Sequence, residues 1–171
     1  MMSDDHAWFD GEVACHLTAV YRYFVRRVPL QDADDLTAEV FATAWRRRDD
    51  VTRGGELPWL YTTARYVLSN HRRRAAIMPL HAMPDLSTPD HADRAARSDE
   101  LTRVLQHLKP RDRDILLLHA WEGLDGDQLA EVLGITRTGA QAALSRARAR
   151  FRAVWHAEDV ATERLQDPPA V

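Results

Sequence analysis

Gly134 separates two stretches of helical apolar spacing with only a short turn between them, and this junction constrains the fold more than any other feature. Upstream, in "DGDQLAEVLG", Leu129, Val132 and Leu133 recur at helical intervals and face one side. Gly134 follows at once, where a left-handed stop needs no Cβ. Downstream, Thr136 can N-cap a second helix, in which Ala140, Leu144, Ala147 and Phe151 form a narrow buried seam. Ala130 is small where the two helices would cross. A short helix, a glycine turn and a capped second helix make a helix-turn-helix.

The second helix carries unusual charge. From Thr136 to Arg152 stand five arginines (Arg137, Arg146, Arg148, Arg150 and Arg152) and no carboxylate, in a chain of net charge −3. The acidic excess lies elsewhere: residues 79–99 hold 4 acidic groups against 2 basic, and residues 156–171 hold 4 against 1. Beyond a Debye length of about 8–10 Å such charges cancel little. In a helix-turn-helix the second helix enters the major groove and turns its N-terminal residues to base edges. Here those are Arg137, Thr138, Gly139, Gln141 and Ser145, followed by Arg146. Arginine pairs with guanine O6 and N7, glutamine with adenine N6 and N7. Arg148 and Arg152 fit a plain solvated face equally well.

The rest of the chain reads as helix too. Val13, Leu17, Val20, Tyr21, Phe24 and Val28 keep helical spacing up to Pro29, and Leu36, Val40, Phe41, Ala44 and Trp45 share a second stripe. "DDVTRGGELP", 49–58, is a loop by its Gly-Gly and polar content. Pro58 suits the first turn of a third helix, which buries Leu60, Ala64 and Val67, with Trp59 as core, and ends in Arg72, Arg73 and Arg74. Three prolines within 79–98 mark a linker. Beyond it, Leu101, Val104, Leu105 and Leu108 form one stripe and Ile115, Leu116, Leu118 and Ala120 another. No alternating strand pattern appears. The expectation is an all-α chain of two small helical domains: a tail over 1–12, a first domain over 13–78, a linker over 79–99, a second domain over 100–155 and a tail over 156–171.

Several function classes are disfavoured. No apolar run approaches the ~20 residues that span a bilayer, and the acidic N-terminus lacks a signal-peptide core, so a cytoplasmic protein without membrane insertion is expected. The lone Cys15 agrees with a reducing compartment. The 8 histidines never pair at metal-binding spacing with a catalytic glutamate, and there is no phosphate-cradling loop or nucleophile elbow. No enzymatic activity, metal or cofactor is expected.

With both halves in view, the chain resembles a bacterial RNA polymerase sigma factor of the sigma-70 family, extracytoplasmic-function group. "VYRYFVRRV", "DADDLTAEVFATAWR" and "PWLYTTARYVLSNHRRR" are similar to sigma region 2, and "LKPRDRDILLLHAWEGLDGDQLAEVLGITRTGAQAALSRARARFR" to region 4. The resemblance spans roughly 13–155, with a linker where that group lacks the middle domain. It implies a protein that binds core polymerase and directs transcription from promoters with −10 and −35 elements. Asp34, Asp35, Leu36, Glu39, Val40 and Phe41 fall on the motif that docks the β′ clamp coiled coil, with Asp35 and Glu39 the better contacts. Arg53 and the loop to Leu57, then Tyr61, Arg65, Tyr66, Ser69, Asn70, Arg72 and Arg73, fall where the −10 element is opened and read; either tyrosine can serve as a base platform. Asp85, Asp90 and Asp93 lie in the linker that threads toward the active-site channel, and Leu105, Leu108, Ile115 and Leu116 offer a groove for the β flap. An anti-sigma factor is a further partner the resemblance implies.

The chain departs from the family at several of these positions. Tyr66 and Asn70 stand where Asn and Asp are common, and Thr63 where an apolar residue is usual. Gln141, Ala142 and Ala143 replace Lys, Ser and Arg, removing two cationic contacts and flattening the expected salt dependence of −35 binding. Against the sigma reading stand a stand-alone helix-turn-helix regulator, dimeric on a two-fold site, and a decoy that binds polymerase but opens nothing.

Overall fold

The computed structural model describes residues 2–75 and 92–166, with side chains over 4–74 and 100–157. Among them every regular element is helical, as the apolar spacing predicts. The chain divides into two compact units, Met1–Asp85 with Asp127–Gly134, and Leu86–Gly126 with Ile135–Val171.

In the first unit, α1 (Met2–Trp8) runs into a π turn (Phe9–Val13), a 3-10 turn (Ala14–His16) and α2 (Leu17–Val25). After a turn come α3 (Leu30–Arg46), a 3-10 turn (Arg48–Asp50) and α4 (Glu56–Ala75). Pro29 does more than end a helix: at φ −54° and ψ 145° it is the N-cap residue of α3. Helices α2, α3 and α4 pack mutually around Val20, Tyr23, Phe24, Leu36, Val40, Leu60, Tyr61 and Ala64. Tyr23 meets Phe24 edge-on at 5.3 Å and Tyr61 at 5.8 Å between ring centroids. The Arg27 guanidinium lies 3.8 Å from the Tyr23 ring centroid and donates to the Tyr23 carbonyl at 2.9 Å, so this charge is buried on a π face.

Four expectations change here. The acidic stretch read as a tail is helical and buries Trp8. Leu17 is 52 % exposed and Tyr21 half-buried, while Tyr23, three residues after Val20 on the same helix face, takes the inward place. Trp59 is half-buried rather than core, with the Arg47 guanidinium 5.9 Å above its ring. Of the second stripe, Phe41 and Trp45 stay half-buried while Ala33 and Thr37 take the inner positions.

Helix α5 (Ala92–His107) is followed by α6 (Pro110–Ala120), α7 (Gly126–Leu133) and α8 (Arg137–Gln166). Helix α5 begins inside the stretch read as linker, since its alanines and arginines are strong helix formers once Pro89 is passed. The linker aspartates Asp85 and Asp90, and the side chain of Asp93, lie outside the described residues. In the second unit α5 and α6 both pack on α8, and Leu105, Leu108 and Leu117 form a core against Leu101, Leu116, Phe151 and Val154. Pro110 stands at the first position of α6. Arg113 closes the end of α5, donating to the carbonyls of Leu105 at 2.7 Å, Gln106 at 3.0 Å and Leu108 at 3.3 Å.

Candidate nucleic-acid and polymerase interfaces

On α3 the predicted polymerase face separates into two layers. Leu36 and Val40 are buried, at 6 % and 0 % exposure, and hold the helix to its unit. Asp34, Asp35 and Glu39 are exposed and Phe41 is half-exposed. Like charges four residues apart, as Asp35 and Glu39 are, destabilise a helix by a few tenths of a kcal/mol. Helix stability therefore does not explain the acidic pair, which suits contact with a basic partner.

On α4 the −10 candidates divide in the same way. Tyr61 is 2 % exposed and packed on Tyr23, so as folded its ring is core and offers no face to a base. Tyr66 is 66 % exposed. Ser69, Asn70 and Arg73 follow it at three, four and seven residues, which puts all four on one helix face. Arg73 donates to the Asn70 side chain, and Arg72 and Arg74 stand exposed beside them. Thr63 is half-buried; Arg65 is also half-buried and donates to the Val132 carbonyl within the first unit. His71, on a different side of α4, lies 3.6 Å from Asp32 of α3.

The loop before α4 is built around Gly54, at φ +82°, a left-handed conformation that favours glycine. Glu56, 6 % exposed, accepts the Gly54 N–H at 3.0 Å and the Trp8 indole N–H at 3.1 Å. Burial pushes the Glu56 carboxyl up, but these two donors and its own backbone N–H outweigh it and hold the group below its ordinary value. Arg53 is exposed, with its guanidinium 4.1 Å from the Trp8 ring centroid. Sequence reasoning missed Trp8, for which the signal available was the aromatic pair in "HAWFD", unusual in a tail, and it missed Glu56, for which there was none.

Helix α7 ends as its sequence requires: Leu129 and Val132 are buried, Leu133 is half-buried, and Gly134 takes φ +65°. Thr136 caps α8, its hydroxyl accepting the Gly139 N–H at 3.1 Å and its carbonyl the Ala140 N–H at 2.9 Å. Arg137, Thr138, Gln141, Ser145 and Arg146 are exposed, and Gly139 is half-buried beside the cap. The Arg137 guanidinium runs alongside Gly126, 3.7 Å from where a Cβ would stand.

The other arginines have separate duties. Arg150 donates to both oxygens of Asp112, at 2.7 and 2.8 Å, and Asp112 is 5 % exposed. Arg148 approaches His119 Nε2 at 2.6 Å, while His119 Nδ1 meets the Leu124 carbonyl at 2.9 Å. With a proton on Nδ1, Nε2 accepts from Arg148. Arg152 is exposed. The apolar groove expected for the β flap is largely core: Leu105, Leu108 and Ile115 are buried because their stripes turn inward, and Leu116 alone of the four is half-exposed.

Ala143 is 5 % exposed, so its lack of charge reflects packing, and an arginine there would have to force its way out. Of the two positions that lack the family's cations, only Gln141 is therefore placed to carry a charge to DNA. Gln141→Lys is expected to steepen the salt dependence of duplex binding by about 0.9 in log–log slope, one added phosphate contact, measured by anisotropy over a salt series. An unchanged slope would remove position 141 from the phosphate-facing surface.

Two family models match the chain in order, "Sigma-70 region 2" over residues 13–77 and "Sigma-70, region 4" over residues 98–151. The RNA polymerase sigma-E factor of Streptomyces coelicolor is 30 % identical over 169 residues, covering 92 % of each chain. This chain is a sigma-70 family sigma factor. It directs promoter recognition by RNA polymerase, and its pairing of regions 2 and 4 is that of the extracytoplasmic-function group. The probable RNA polymerase sigma factor RfaY of Xanthomonas campestris is 33 % identical over 133 residues, which cover 70 % of this chain and a third (33 %) of that protein. The fold also matches the sigma factor RpoE of Bartonella quintana, solved in complex with the anti-sigma factor NepR, with a TM-score of 0.67 at 21 % identity over 85 % of this chain and 95 % of that one. Sigma factors are initiation factors rather than enzymes, and a stand-alone regulator leaves the region 2 match unexplained. Among the described residues no helix is long and apolar enough to cross a membrane.

Proposed function

We propose a division of this sigma factor's work among its exposed and half-exposed residues. Asp34, Asp35 and Glu39, with Phe41 as the apolar anchor, meet the β′ clamp coiled coil. Tyr66 receives an unstacked base of the −10 element, Ser69 and Asn70 read its edge, and Arg53, Arg72 and Arg73 take the flanking phosphates. Arg137, Thr138, Gln141, Ser145 and Arg146 meet the −35 element, with Gly139 allowing close backbone approach. The domains run 13–78 and 100–155, joined over 79–99, and the β flap docks on the second.

The observation that carries this reading is the α4 face, where an exposed aromatic ring, two small polar residues and an arginine lie in register. Single-stranded bases are held by stacking and backbone charge in this way. The chain itself supplies no chemistry; that belongs to the polymerase, in the bacterial cytoplasm. An anti-sigma partner fits too, by analogy with the Bartonella quintana sigma factor solved in complex with one.

The experiment is permanganate probing of unpaired thymines on a pool of upstream regions, with core polymerase present and the chain added or withheld. Chain-dependent reactivity near −10 is the expected result. Binding to core without opening on any template would leave the decoy reading, and duplex binding as a dimer without core would overturn both.

A further inference from the structure

Helix α1 reaches residues far along the chain through Asp5 and Trp8. Trp8 is 8 % exposed and reaches across to the loop that precedes α4, where its indole N–H and the Gly54 N–H share one oxygen of the buried Glu56 carboxylate. The same Trp8 ring underlies the Arg53 guanidinium at 4.1 Å. Asp5, one turn earlier on α1, sits 3.2 Å from Arg48 and 3.9 Å from Arg53. The Arg53 side chain nevertheless stays 56 % exposed.

We propose that Trp8 and Glu56 are positioning residues for −10 recognition, holding the loop so that Arg53 and the first turn of α4 meet the promoter in one fixed geometry. This rests on the reading of Arg53 and α4 given above. Packing alone would be served by any large apolar side chain at position 8. An indole N–H aimed at a buried carboxylate selects one register, because a charged acceptor left short of donors is strongly disfavoured. The loop needs such a lock: two adjacent glycines otherwise leave its backbone many conformations. Stacking on Trp8 covers one face of Arg53, Asp5 stands 3.9 Å from one of its terminal nitrogens, and the rest of the guanidinium is left for phosphate.

The test compares the full chain with its Trp8→Phe variant, each with core polymerase, on two templates that differ in one −10 base. Trp8→Phe keeps an aromatic ring and removes the donor. Opening of the matched template is expected to fall about tenfold, the size of one hydrogen bond to a charged group. The preference for it over the substituted template should shrink, while affinity for core is unchanged. Glu56→Gln, which keeps the acceptor, should lose less than Glu56→Ala. Amide hydrogen exchange should quicken at Gly54 with α2, α3 and α4 still protected. Equal losses on both templates with the preference intact would make Trp8 merely structural, and no loss at all would remove it from recognition; either overturns the proposal. Failure of the unaltered chain to open any template would instead overturn the −10 reading beneath it.

Discussion

Tyr66→Ala is expected to reduce promoter opening by roughly tenfold to a hundredfold while leaving thermal unfolding unchanged. The size follows from base–aromatic stacking, about 1–3 kcal/mol per base. The stability follows from exposure: at 66 % exposed, Tyr66 loses little packing on truncation. Tyr61, five residues earlier, should behave in the opposite way. Its ring is fully enclosed against Tyr23, so Tyr61→Ala opens a cavity worth about 3–5 kcal/mol. Tyr61→Phe, which keeps the ring, should open promoters normally. Permanganate probing and calorimetry of the same four proteins separate the two roles. Wild-type opening by Tyr66→Ala would remove the stacking platform from Tyr66, and impaired opening by Tyr61→Phe, which keeps the ring, would give the Tyr61 hydroxyl a part in opening.

The second large effect concerns the arginines of α8. Arg150→Ala is expected to destabilise the protein by about 1–3 kcal/mol, because it strips both hydrogen bonds from a carboxylate that is itself buried. The guanidinium is half-exposed, and solvent screening keeps the figure below the 3–5 kcal/mol or so of a fully buried pair. The double variant Asp112→Ala, Arg150→Ala should recover part of the loss, since no charge is then left buried alone. Arg146→Ala, at an exposed position, should leave unfolding unchanged and lower the salt slope of duplex binding by about 0.9. Thermal unfolding and a salt series on the same variants decide the matter. A flattened slope for Arg150→Ala with no loss of stability would make it a DNA contact after all.

The two tyrosines and the two arginines share a lesson about what residue type conveys. Apolar spacing made the inward faces of α3, α4 and α8 legible, because a helix buries one stripe and the stripe repeats every 3.6 residues. The turn at Gly134 and the cap at Thr136 were legible as well, since backbone conformation and an unpaired N–H are local needs that one residue meets. Resemblance to the sigma family added the order of the two regions, which no single motif conveys.

Partners distant in sequence were not legible. Nothing in "HAWFD" points to Glu56, 48 residues beyond Trp8, and nothing in an arginine-rich helix separates Arg150, paired 38 residues away, from Arg146. Nor does spacing tell Tyr61 from Tyr66 in function, or expose that Ala143 faces the core. The sequence by itself determined helix, turn and family, because those depend on periodicity and local backbone geometry. Tertiary structure alone decided which aromatic ring and which cation remain free to meet DNA. A side chain's exposure depends on what the rest of the chain brings against it.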